Sequence, residues 1–207
     1  DEELKRVIPL VKALRQSSDC IISIDTSKSE VMRQAIIAGA DIINDVRALQ
    51  EPGAIDVLAE YPDVAICLMQ GQPRTMQSNP VYTDLFADIN RFFAERIAAC
   101  EQAGIQKHRI ILDPGFGFGK TLAHNYQILD RFDEFNQFNL PVLAGLSRKS
   151  MIGNLLKRDT SERLAGSLAG ALIAAQNGAK IIRVHDVLET VDVLSVWQAC
   201  KKGITNE

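Results

Sequence analysis

The sequence predicts an α/β protein, and within that class a TIM-type (β/α)8 barrel of which about six of the eight βα units are present. Three observations point there. Short, wholly apolar segments recur, each followed by a segment of helical periodicity, and parallel strands need such crossovers because helices cover both of their faces. Polar residues follow the C-terminal ends of nearly all these strands, namely Asp25, Asn44, Asp113, Ser147 and Arg183, instead of gathering at one switch point as in an open doubly wound sheet. With 207 residues, 46% hydrophobic and 24% charged, the chain has the composition and length to bury one sizeable core, so residues 1–207 are expected to form a single domain.

The elements follow in order. Val7, Leu10, Val11 and Leu14 fall at i, i+3, i+4 and i+7, which places one apolar stripe on a first helix. Ile21 to Ile24 is an apolar run bounded by Asp25-Thr26-Ser27, the pattern of a buried strand. Ser27-x-x-Glu30 has the form of a capping box and opens a second helix, which Gly39 is able to close in the left-handed conformation. Asp41 to Ile43 then reads as strand, Pro52 to Tyr61 as helix, Val64 to Met69 as strand, and Leu85 to Ala103 as a long amphipathic helix. A strand at Ile110 to Leu112 precedes a helix at Leu122 to Phe132. A strand at Val142 to Ala144 precedes a helix at Glu162 to Asn177, and a strand at Ile181 to Val184 precedes a last helix through Trp197. Six parallel strands do not close a barrel whose curvature is set for about eight, so the first and last are expected to be open edges, and the barrel's first two strands are expected to lie upstream of Asp1.

Bulk properties exclude several classes. A net charge of −3 offers no global field for nucleic acid or an anionic membrane surface, so any phosphate must be held locally. Cys20, Cys67, Cys100 and Cys200 contain no C-x-x-C pair, and they read as reduced thiols of a cytoplasmic protein. The longest apolar stretch, Leu164 to Ala175, is broken by Gly166, Ser167 and Gly170 well short of the roughly 20 residues that span a bilayer. Neither H-E-x-x-H nor a Cys/His cluster is present, and His108 and His124 are assigned no role.

In a (β/α)8 barrel the loops after the strands converge on one mouth. Asp25, Asn44 and Asp113 there offer two carboxylates and an amide, which suits a flat, nitrogen-rich heterocycle; each taken alone also reads as a helix cap or turn residue. Asp113-Pro-Gly-Phe-Gly-Phe-Gly-Lys120 is not a Walker A loop, since Pro114 stands where that motif needs glycine, nor a G-x-G-x-x-G fingerprint, since Lys120 replaces the third glycine. The remaining readings are a plain surface turn, or a mobile or flat cover over a substrate with Phe116 or Phe118 as apolar wall. Ser147-Arg148-Lys149-Ser150 and Arg183-Val184-His185-Asp186 bring cations to the last strand ends, where barrels often hold phosphate; each also reads as a solvated charge pair. Gly166, Gly170 and Ala174 form a small-residue face that fits either a dimer contact or packing on the barrel.

Ile24-Asp25-Thr26-Ser27-Lys28, Ile43-Asn44-Asp45, Leu112 to Lys120, Ser147 to Ser150 and Arg183 to Asp186 together resemble, in order and spacing, the motifs of the dihydropteroate synthases, pterin-binding barrel enzymes of folate biosynthesis and the target of sulfonamides. The resemblance implies a cytoplasmic, homodimeric transferase that condenses 6-hydroxymethyl-7,8-dihydropterin diphosphate with p-aminobenzoate and releases diphosphate with help from Mg²⁺. It implies that Asp25, Asn44, Asp113 and Lys149 bind the pterin, that Arg183, Val184 and His185 bind the diphosphate, and that Phe118, Ser147 and Ser150 lie near the pterin and p-aminobenzoate. No residue is assigned as acid or base, and the metal's protein ligand, an Asn, belongs to the upstream segment along with a Thr-Arg-Pro loop. Leu68-Met69-Gln70-Gly71-Gln72-Pro73 departs from the family by lacking a His after Met and is shorter by about two residues. Two alternatives remain: a related barrel that transfers a methyl group from a reduced folate, which has no reason to carry S-R-K-S and R-V-H-D, and a non-catalytic remnant acting as a binding module.

Overall fold

The computed structural model describes residues 2–71 and 82–202. Strand and helix alternate through them as α1 (Glu2–Ser17), β1 (Ser23–Asp25), α2 (Ser29–Ile37), β2 (Ile42–Asp45), α3 (Ala54–Glu60), β3 (Ala65–Met69), α4 (Leu85–Gln102) and β4 (Ile110–Asp113). There follow α5 (Leu122–Asp130), β5 (Leu143–Ala144), α6 (Ser150–Leu156), α7 (Leu164–Gln176), β6 (Ile181–Ile182) and α8 (Val187–Lys202). They gather into two compact units, one holding α1 to β4, the other everything from Pro114 onward together with residues 82–86. No helix among the described residues is long and apolar enough to cross a membrane.

In the first unit β1 to β4 form a parallel sheet in sequence order. The register runs Ile24↔Ile43, Ile43↔Ile66 and Ile66↔Ile110. Because side chains alternate along a strand, Ile43, Ile66, Leu68, Ile110 and Leu112 share one face, and none of them is exposed to solvent. Asp25, Asn44, Cys67, Met69 and Asp113 therefore share the other. β1 starts two residues later than the sequence suggests: Ile21 is 74% exposed, and the Ile22 amide donates to the Asp41 carboxylate at 2.7 Å. The capping box at Ser27 is not formed either. Lys28 is the N-cap of α2 without a side-chain cap, and the Ser27 hydroxyl donates instead to Asp45. Gly39, at φ +109°, does close α2.

In the second unit β5 and β6 pair in parallel, Leu143↔Ile181 and Ala144↔Ile182. β6 ends at Ile182 rather than Val184, although the Arg183 amide still donates to the Ala144 carbonyl at 3.0 Å. Phe116 stacks on Phe132, with ring centres 6.1 Å apart, and Phe132 meets Phe135 edge-on; all three are fully buried, so Phe116 is core. The helix expected over Leu122 to Phe132 stops at Asp130, and Phe132–Phe138 continues as 3-10 turns. α6 was not legible because seven residues with a central glycine give little periodicity. The small-residue face of α7 is taken up inside the chain: a Cβ at Gly170 would lie 2.5 Å from Leu146 Cδ1, and one at Gly166 2.5 Å from Ile152 Cγ2.

Candidate active site

The first unit holds the two carboxylates and the amide. Asp25 and Asn44 are direct register partners at the ends of β1 and β2, and Asn44 Nδ2 donates to Asp25 Oδ2 at 2.9 Å. Asn44 is aligned with Cys67, Cys67 with Ile111, and Asp113 stands one same-face step further, opposite Met69. Asn44 and Asp113 are buried while Asp25 is exposed. Carboxylate oxygens accept and the amide does both, so this sheet end fits a ligand edge rich in N–H groups, with Met69 as an apolar neighbour. The Gln70 amide donates to the Asp113 carbonyl at 3.0 Å, which extends the ladder one residue past β3. Of the shortened segment Leu68 to Pro73, Gln72 and Pro73 lie outside the described residues.

Asp45 belongs to this end as well, and sequence reasoning gave it no role. Fully buried, its carboxylate accepts from the Ser27 hydroxyl, the Arg47 amide at 2.9 Å and the Leu49 amide at 2.8 Å. It thereby ties the turn after β1 to the turn after β2. That second turn carries two consecutive left-handed residues, Ala48 at φ +50° and Leu49 at φ +58°, whose carbonyls accept from the Arg96 guanidinium at 2.8 and 3.3 Å. The available signal was an Asp directly after the strand end, where its side chain can bond the amides that follow.

The second unit holds the glycine-rich loop and the cations. Gly115 and Gly117 have φ of +71° and +81°, a conformation that side-chain-bearing residues resist, which accounts for their spacing. The loop is fastened: Gly117 donates to Asn125 Oδ1 at 2.7 Å, and Lys149 Nζ donates to the Phe116 carbonyl at 2.7 Å. The same ammonium sits 4.8 Å from the centre of the Phe118 ring, so of the two phenylalanines Phe118 is the half-buried wall. His124 finds a structural use, closing a capping box with Thr121 at the start of α5 and meeting Tyr82 edge-on.

Ser147 and His185 come together, Oγ to Nδ1 at 3.0 Å, and the His185 amide donates to the same Oγ at 3.2 Å. Arg183 and His185 are exposed, Val184 is half-buried, and Ser150 is exposed at the start of α6. Arg148 falls on the charge-pair side of the two readings that the sequence left open for these motifs. Its guanidinium forms a two-pronged pair with Asp186, whose carboxyl that hydrogen bond holds below the usual carboxylate range. Among the described residues no three His, Cys, Asp or Glu side chains converge as a metal-binding group.

Comparison with known proteins identifies the family. The family model of the pterin binding enzymes matches residues 1–185. The chain is 59% identical over 209 residues to the dihydropteroate synthase of Escherichia coli K12, covering 100% of this chain and 74% of that protein. It is 55% identical over 199 residues to that of Haemophilus influenzae, covering 96% and 72%. Among solved structures, the Yersinia pestis dihydropteroate synthase in its sulfonamide drug complex superposes with a TM-score of 0.94 at 52% identity, covering 98% of this chain and 74% of that one. The Xanthomonas albilineans enzyme in complex with 7,8-dihydropteroate gives 0.92 at 48%, covering 98% and 75%. The fold class is the one these structures share, the pterin-binding type of TIM barrel. By family model, identity and fold together, this chain belongs to the pterin-binding enzymes and, among them, to the dihydropteroate synthases.

Proposed function

We propose that the chain carries out the dihydropteroate synthase condensation with Asp25, Asn44 and Asp113 as acceptors for the pterin's N–H edge, Lys149 as a cation toward the ring, and Arg183, Val184 and His185 as the diphosphate site. The observation that carries this reading is the hydrogen-bonded, register-aligned Asp25–Asn44 pair on the same sheet face as the buried Asp113. In the reaction the amine nitrogen of p-aminobenzoate bonds to the pterin's exocyclic methylene carbon. The C–O bond to the diphosphate breaks with its electron pair on the leaving oxygen, and the amine proton passes to solvent. No side-chain base is needed for a leaving group this good, so the protein's share is positioning and stabilisation of charge. Arg183 supplies directed donors to the departing diphosphate. Ser147 engages His185 Nδ1 and leaves Nε2 as the nitrogen that meets the same anion. Phe118, Ser147 and Ser150 are assigned to the surroundings of p-aminobenzoate. Mg²⁺ would offset diphosphate charge when bound.

Diphosphate and dihydropteroate are expected to form in equal amounts, and only when both substrates and Mg²⁺ are present. Diphosphate release without p-aminobenzoate, or methyl transfer from a reduced folate, would overturn the reading. The same reading makes the enzyme a cytoplasmic homodimer. Val187, Leu188, Val191 and Val196 leave apolar side chains of α8 exposed, at 60%, 71%, 53% and 66%. Sedimentation equilibrium is expected to show the dimer at micromolar concentration and a monomer for Leu188→Glu; a wild-type protein that stays monomeric throughout rules the dimer out.

A further inference from the structure

Arg148 occupies the left-handed region, φ +55°, between two residues assigned to substrate. Residues with a Cβ avoid that region, and such conformations persist only where the surroundings enforce them. Here the turn, closed by the Lys149 amide on the Leu146 carbonyl at 3.1 Å, sends the Ser147 hydroxyl to His185 and the Lys149 ammonium to the Phe116 carbonyl. Both backbone groups of Arg148 are held from the start of α7. Its amide donates to Ser167 Oγ at 2.9 Å, and its carbonyl accepts from Arg163 Nη1 at 2.9 Å. Ser167 is only 2% exposed, and its own proton goes to the Arg163 carbonyl at 2.7 Å, so the oxygen presents its lone pairs to Arg148. Arg163 reaches across α6 above Gly153, where a Cβ would come 2.2 Å from its Nη2.

We propose that Arg163 and Ser167 are positioning residues of the synthase: they hold Arg148 in its left-handed turn and so fix where Ser147 and Lys149 present their side chains. Neither residue lies in a motif that the sequence singled out, and neither is assigned to substrate. The inference rests on the substrate assignments proposed above for Lys149 and His185. If the turn relaxes, the Ser147 hydroxyl and the Lys149 ammonium lose their common origin, and displacements of about an ångström at groups that position substrate cost up to roughly 100-fold in rate.

Three variants of the full chain test it: Ser167→Ala removes the acceptor, Ser167→Thr keeps it, and Gly153→Ala displaces the Arg163 guanidinium without altering α7. Ser167→Ala and Gly153→Ala are expected to lower kcat/KM by roughly 10–100-fold, chiefly through KM, and Ser167→Thr to recover most of the loss. The imidazole resonance of His185, one of only three histidines, reads the turn independently of turnover. It is expected to move in Ser167→Ala and Gly153→Ala and to return in Ser167→Thr. An unmoved resonance, or a lower melting temperature with unchanged kcat/KM, overturns the positioning role. If Lys149→Ala leaves KM and kcat unchanged, the substrate assignment fails instead, and the resonance still decides whether Ser167 and Arg163 hold the turn.

Discussion

Asp113→Asn is expected to weaken binding of a pterin ligand by roughly 10–100-fold, the loss of charge-assisted acceptors contributing about 1.5–3 kcal/mol. Asp113 is 1% exposed at the end of β4, and its main chain is locked by the register with Met69 and by the Gln70 amide. The substitution conserves shape, so the fold stays and the effect falls on the ligand. Asn presents one acceptor and one donor where the carboxylate presents two acceptors, and the donor faces ligand N–H groups it repels. Calorimetric titration of both proteins with a pterin analogue measures the ratio. Equal affinities would remove Asp113 from the site and, with it, the reading of the sheet end as a pterin site.

Arg109→Leu is expected to destabilise the protein by about 3–5 kcal/mol, a large share of an ordinary folding free energy. Arg109 is 6% exposed, and its guanidinium donates to the carbonyls of Val64 at 2.9 Å, Leu58 at 2.9 Å and Tyr61 at 2.8 Å. These carbonyls stand at the C-terminal end of α3 and just beyond it, where helices leave acceptors unmet and where a cation is favoured. Burial pulls the pKa of Arg109 below its ordinary value, yet the three bonds need its protons. Leucine fills the volume and leaves the carbonyls buried without donors, and lysine has no planar fork to meet them together. Urea unfolding should show a lower midpoint with an unchanged slope. A loss under about 1 kcal/mol would mean that water replaces the guanidinium there.

The alternation of apolar strands with amphipathic helices was legible because burial on both faces leaves an unmistakable run such as Ile110-Ile111-Leu112, all of it inaccessible or nearly so. The polar strand ends were legible for the converse reason: Asn44 and Asp113 interrupt such runs. What the sequence hid was pairing at a distance. Ser27 and Glu30 stand at capping-box spacing, yet α2 begins one residue later with Lys28 as its N-cap, and the Ser27 hydroxyl is turned to donate to the buried Asp45 carboxylate, a partner 18 residues away that local spacing does not reveal. Arg148 looked like one more cation beside Lys149, and only the return of the chain through Asp186 neutralises it. Arg163 and Ser167 sit in no motif; their use depends on α7 passing the Arg148 turn, which no local pattern encodes.

The alternating left-handed glycines after β4 bear on how such an enzyme changes under selection. At Gly115 and Gly117 almost any replacement is opposed by the backbone itself, and Phe116 is committed to the ring stack with Phe132. Along that stretch Phe118 is the side chain left with room to vary, and it lies under the Lys149 ammonium. A lineage confronted with a competitor seated against this loop therefore has few steps open to it there. Replacements outside this stretch are then the routes that remain to it.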